Sequence, residues 1–86
     1  MLDITEVRVK RIEKGNFLGY ASICIADSIV IKEIKLFKGK EGRYIIMPGQ
    51  RIKGQERIRN FAYPIKDDIR LEILEKILEE YDKETK

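Results

Sequence analysis

The spacing of apolar residues changes about two thirds of the way along the chain, from a period of two to a period near 3.6. Val7-Arg8-Val9-Lys10 alternates apolar and basic side chains, as a half-buried strand does, and Ile12 continues it past an irregularity at Arg11. Glu13-Lys14-Gly15-Asn16 is turn chemistry, because Gly and Asn accept a positive φ. Phe17 to Ile25 reads as a second strand with Phe17, Gly19, Ala21, Ile23 and Ile25 on one face. After a turn at Ala26-Asp27-Ser28, Ile29 to Phe37 is a third strand, on which Val30, Ile34 and Leu36 share a face with Lys32. Lys38 to Gly42 reads as a loop with two glycines. Tyr44-Ile45-Ile46-Met47 is a fourth strand, and its nearly unbroken apolar run suits a central position. Pro48-Gly49 ends it. Gln50 to Gln55 reads as a polar loop, and Arg57 to Tyr63 as a short fifth strand closed by Pro64.

From Asp67 the pattern is helical. Ile69, Ile73, Ile77 and Tyr81 recur every four residues with Leu74 and Leu78 beside them, one apolar stripe on a helix over about 67–83. Asp67 and Asp68 suit the positive end of the helix dipole, and Lys83 the negative end. The stripe has one place to go, the face of a sheet. The chain therefore predicts an α+β domain over residues 1–86: an antiparallel meander of four to five strands with one C-terminal amphipathic helix packed on it. One helix covers one face. The other face, or an edge strand, is left for a ligand or a partner subunit.

Composition narrows the chemistry. At 86 residues the chain is too short for a dinucleotide-binding α/β enzyme or an α/β barrel, and its size favours pairing of subunits. There is no His and a single Cys, so no Ser–His or Cys–His nucleophile pair exists and no Cys/His zinc spacing occurs. Cys24, inside Ser22-Ile23-Cys24-Ile25, reads as a packing residue. No catalytic residue, metal ligand or cofactor is assigned. The lone Cys, and the lack of a signal-peptide pattern or a long apolar run, point to a cytoplasmic protein.

Charge is divided along the chain. Residues 1–66 carry 14 Lys/Arg against 7 Asp/Glu, whereas residues 67–86 carry 4 against 8, within a net charge of +3. The densest basic stretch, 38–66, holds 8 basic and 2 acidic side chains. Concentrated positive charge with few acids attracts polyanions, of which nucleic-acid backbones are the commonest in cells. Candidate phosphate contacts are Arg51, Lys53, Arg57, Arg59, Lys66 and Arg70, with a secondary basic loop at Lys38, Lys40 and Arg43. Arg adds bidentate reach to phosphate oxygens or to the O6/N7 edge of guanine. Gly39-Lys40-Glu41-Gly42 lacks the spacing of a phosphate loop, and no helix-turn-helix, RRM or KH pattern occurs.

Several short motifs resemble one family along nearly the whole chain, from Ile4 to Tyr81: Val7-Arg8, Ala21-Ser22-Ile23, Ile34-Lys35 with Gly39 and Gly42, Met47-Pro48 with Arg51, Arg59-Asn60-Phe61-Ala62-Tyr63-Pro64-Ile65, Arg70, and Glu80-Tyr81. They resemble the bacterial septation and sporulation regulator family SpoVG. Tyr63 stands where that family usually has His. The resemblance implies a small dimeric α+β protein that binds DNA, and in some members RNA, and regulates gene expression, with involvement in septum formation and spore development in spore-forming members. The competing expectation is a protein–protein interaction module of cell-division regulation that uses the uncovered sheet face or the acidic helix face. An enzyme built on Asp/Glu and Lys is the weakest reading, because nothing places two carboxylates at working distance.

Overall fold

Seven elements follow one another in the computed structural model, which describes residues 2–52, 54 and 58–83 and, of Arg51 and Ile58, the backbone. They are β1 (Ile4–Lys14), β2 (Phe17–Ile25), β3 (Ile29–Gly39), β4 (Gly42–Ile46), β5 (Gly49–Arg51), β6 (Ile58–Asn60) and α1 (Asp67–Lys83). The first four form an antiparallel meander in the order β1-β2-β3-β4, and β5 and β6 form a separate two-stranded ribbon. The α+β arrangement expected from the change of period is the one observed.

The core lies between one face of the meander and the helix. Ile73, Ile77 and Tyr81 of α1 are buried together with Leu18, Ala21, Ile23, Ile34, Leu36, Ile45 and Met47. Ile69, Leu74 and Leu78 pack at its margin, while Leu71, on the far side of the helix, is exposed. Each fully buried aliphatic side chain contributes roughly 1.5–3 kcal/mol of transfer free energy, so the helix stripe dominates the cohesion of so short a chain.

Two irregularities decide which residues meet that core. On β3, Glu33 takes a left-handed conformation (φ 64), and the β2–β3 register shifts between Ala21/Ile34 and Ile23/Ile31. This bulge brings Ile31 and Ile34, three residues apart, to the helix side. The strict alternation that grouped Val30 and Lys32 with Ile34 and Leu36 is therefore broken, and Val30 and Lys32 are exposed on the opposite side of the sheet. On β2, the register shifts between Phe17 and Gly19, so that Leu18 and Ala21 face the core while Phe17 and Tyr20 meet on the other face. Phe17 thus leaves the face assigned to it by alternation. Gly19 is required at this point, because a side chain there would overlap the carbonyl oxygen of Lys10 on β1.

Two further expectations are corrected. The apolar strand β4 lies at the end of the sheet order and not at its centre. Its apolar residues serve two faces: Ile45 is buried in the core, and Tyr44 stacks on Phe37 on the uncovered face. The fifth strand is shorter than Arg57 to Tyr63 and does not join the meander. Ile58–Asn60 pairs instead with Gly49–Arg51, so the segment read as a loop begins as a strand. Pro48 interrupts the main ladder, and Gly49 lets the ribbon close, since a Cβ there would lie 2.6 Å from the carbonyl oxygen of Arg59. The loop expected over Lys38 to Gly42 narrows to a two-residue turn at Lys40-Glu41.

Polar contacts pin the C-terminal end of α1. The guanidinium of Arg11 lies 4.0 Å from the centre of the Tyr81 ring and donates to the Tyr81 carbonyl at 2.9 Å. Glu13 accepts hydrogen bonds from the Tyr81 hydroxyl and from Arg11. Arg43 grips Asp82 with both terminal nitrogens, at 2.7 and 3.2 Å. The Tyr81 and Arg11 hydrogen bonds hold the Glu13 carboxyl below its usual range, and the Arg43 bond does the same for Asp82, whereas burial pushes the Tyr81 phenol up.

Two outcomes follow for stability. Ile77→Ala leaves a void under a side chain that is 0% exposed and should cost about 2–5 kcal/mol in urea titrations followed by circular dichroism. Glu13 and Asp82 have folded-state pKa values below their unfolded ones, so their contribution is complete above the ordinary carboxylate range and is lost as pH falls through the folded values. Stability should therefore decline on acidification, and a Glu13→Gln/Asp82→Asn variant should show a shallower decline. An unchanged acid slope in that variant would refute this assignment.

Candidate functional site

The face of the meander opposite the helix carries no covering element among the described residues. Its composition follows from cross-strand register, because residues directly opposite in an antiparallel pair share a face. One row runs Lys10, Tyr20, Lys35 and Ile46 across all four strands. The next runs Lys14, Phe17, Phe37 and Tyr44. Beyond the β3 bulge lie Arg8 opposite Ser22, and Glu6 opposite Cys24, which is in turn opposite Val30. Arg8, Lys10, Lys14, Lys32 and Lys35 are all exposed there.

Two acids temper this positive charge. Glu6 accepts a hydrogen bond from Nε of Arg8 at 2.8 Å and raises the Arg8 pKa, and Glu33 stands at the bulge. An ion pair as exposed as Arg8–Glu6 contributes little to stability and exchanges readily for another anion. Two adjoining depressions of about 210 and 240 Å³ run over this face and share Arg8, Ser22 and Lys32. A larger cleft of about 380 Å³ continues from Glu33 and Lys35 to Ile46, Pro48, Gly49 and Phe61, which joins the open face to the start of the β5–β6 ribbon.

The six basic positions singled out from sequence lie elsewhere. Lys53 and Arg57 fall outside the described residues. Arg51 is at the end of β5 opposite Ile58, and Arg59 is on β6 opposite Gln50. Arg59, Lys66 and Arg70 are exposed, the last two at the entry and first turn of α1. In the secondary set, Lys38 and Lys40 are exposed, whereas Arg43 is held by Asp82 on the helix side of β4. Arg11, another cation of the sheet, is likewise tied to the helix through Tyr81.

Sequence reading passed over the open-face cations Arg8, Lys10, Lys32 and Lys35. The signal for the first two was present: Arg8 and Lys10 alternate with the core-facing Val7 and Val9. Lys32 and Lys35 differ by an odd number of positions, and alternation alone separates them. The Glu33 bulge brings them to one side.

No group of three or more Cys, Asp or Glu side chains that could hold a metal ion occurs among the described residues. Nor is any helix among them long and apolar enough to cross a membrane.

Comparison with known proteins matches this architecture and sequence to one group. The SpoVG family model matches residues 2–83. A SpoVG protein of Treponema denticola is 37% identical over 83 residues, which cover 95% of this chain and 88% of the relative. One from Finegoldia magna is 36% identical over 84 residues, covering 96% of this chain and 77% of the relative. A second SpoVG protein of Listeria monocytogenes is 33% identical over 84 residues, covering 95% and 80%. The names of these relatives assign them to septation. With its helix, its meander and its ribbon all inside the matched span, the chain belongs to the SpoVG family.

Proposed function

We propose that this chain is a cytoplasmic, non-enzymatic regulator that binds nucleic acid as a homodimer. The observation that carries the reading is the open sheet face, where Arg8, Lys10, Lys14, Lys32 and Lys35 stand exposed against only Glu6 and Glu33. Five cations on a rigid sheet present a fixed array to phosphate oxygens, and the field of such an array speeds the approach of a polyanion. Arg59, Lys66 and Arg70 are further exposed cations outside that face, on the ribbon and at the start of α1, and with Arg51, Lys53 and Arg57 they belong to the same proposed set of contacts. The exposed side of the helix carries Glu75 and Glu79, which repel a polyanion and leave the sheet side as the approach. Regulation of septation is the role that the names of the relatives suggest for it.

The homodimer rests on the edge of β4. This strand pairs only with β3 among the described residues and presents an apolar side chain, Tyr44, that is 46% exposed. An unpaired apolar edge is a template for a second strand. Antiparallel pairing of β4 with its copy about a two-fold axis normal to the sheet would place both helices on one side and both basic faces on the other. The number of phosphate contacts would then double without any new residue.

A second reading, docking of a protein partner, is favoured by Phe61, Tyr63 and Ile65, which are 69%, 59% and 87% exposed within five residues. It predicts binding that survives salt.

Two measurements test the first reading. Affinity for a mixed-sequence DNA or RNA should fall steeply with salt, with a log–log slope near −0.9 per duplex phosphate neutralised, and a Lys10→Gln/Lys32→Gln/Lys35→Gln variant should lower the slope by about 3. No binding at low salt would overturn it. Sedimentation equilibrium should give about twice the 10.1 kDa chain mass, and a monomer at tens of micromolar would remove the dimer.

A further inference from the structure

The open face is aromatic as well as basic, and its rings are ordered. Phe17 meets Tyr20 edge-on with centroids 5.0 Å apart and lies 5.2 Å from Phe37, which in turn stacks on Tyr44 at 5.7 Å with 14° between their planes. These four rings make a continuous line across β2, β3 and β4, ending at the sheet edge on Tyr44. Register sets lysines beside them: Tyr20 lies between Lys10 and Lys35, and Lys14 heads the row of Phe17, Phe37 and Tyr44. Phe61, 69% exposed, stands across the neighbouring cleft from Lys35.

The rings are not consumed by the core. The helix buries the opposite side of the sheet, and the aromatic line contributes nothing to that contact. Rings that serve only to fill space are expected inside. Here they form a half-exposed floor under a row of cations. Duplex nucleic acid can satisfy the cations but keeps its base faces stacked inward. A single strand offers both phosphates and unstacked bases, and base–aromatic stacking tolerates any sequence because every base has a π-face.

We infer that the open face of the meander is a stacking platform for single-stranded nucleic acid, with bases laid on Tyr20, Tyr44 and Phe61 and phosphates held by Lys10, Lys32 and Lys35. The inference rests on the nucleic-acid reading above and narrows it to a strand state and a surface. Tyr44 ends the line of rings with Phe37 against one of its faces, and its side chain stands on the open face of the sheet whether or not a second β4 pairs alongside. Tyr20 offers the interior position, flanked on both sides by a lysine.

The test compares three fluorescein-labelled probes at fixed salt by anisotropy: a 16-nucleotide single strand of mixed sequence, the same sequence as a duplex, and an abasic backbone of equal length. The single strand should bind at least about tenfold more tightly than the other two, because stacking adds to a phosphate term they share. Tyr20→Ala should weaken single-strand binding by about fivefold to a hundredfold while leaving duplex and abasic binding unchanged; Tyr44→Ala should weaken single-strand binding to a similar degree at unchanged sedimentation mass, and Tyr44→Phe should restore it. Far-UV circular dichroism of each variant checks the fold. The chain has 4 Tyr and no Trp, so tyrosine emission should be quenched by the single strand and not by the abasic probe. Equal affinity for the three probes, with the Tyr variants unaffected, would overturn the platform and leave charge-driven binding standing. Binding to none of them at low salt would overturn both readings.

Discussion

The structure depends on the burial of one helix stripe against one face of a four-stranded sheet. Ile73, Ile77 and Tyr81 are buried in one cluster with Ile23, Ile34 and Leu36, which removes their apolar surface from water. The consequence is one-sidedness. Among the described residues one helix covers one face, and the second face of the sheet is made of side chains that tolerate solvent. The polar pins at Arg11, Tyr81, Glu13, Arg43 and Asp82 belong to the same constraint, because they fix the last turn of the helix on the strands that it covers.

This division sorts the basic residues into two kinds. Arg11 and Arg43 lie on the helix side, engaged by a ring, a carbonyl or a carboxylate, and act in cohesion. Arg8, Lys10, Lys14, Lys32 and Lys35 lie on the far side with their charge turned to water. A count of charges along the chain treats the two kinds alike. The second kind adds to the field outside the protein on the face away from the helix, whose own outer surface is mostly acidic.

Backbone irregularities set the chemistry of the open face. Without the bulge at Glu33, Lys32 and Lys35 would lie on opposite sides. Without the close passage of Gly19 beneath Lys10, Phe17 and Tyr20 would be separated, and the line of rings from Tyr20 to Tyr44 would not form. Each bulge shifts alternation by one position, which moves every later side chain to the other face. The surface that we propose for ligand binding is thus a product of two local departures from ideal strand geometry, braced by a core that fixes everything around them.

Much of the architecture was legible in the sequence. The period-two segments, the four-residue spacing from Ile69 to Tyr81 and the turn residues determine the main strands, the helix and its packing on the sheet, because burial of apolar side chains leaves few alternatives. The family could also be read there, from short motifs such as Arg59-Asn60-Phe61-Ala62-Tyr63-Pro64. What only the tertiary structure decided was the grouping of polar residues. Alternation cannot see a bulge, so it placed Val30 and Lys32 with the core and Phe17 beside Ile23. Nor could it tell that β4 lies at an edge, since a strand with apolar residues on both faces reads like a central one. Arg43 looked like an available loop cation until Asp82, 39 positions away, met it across the fold. Local pattern records which side chains avoid water. Which polar side chains share a surface depends on register and long-range approach, and those are fixed only when the chain closes on itself.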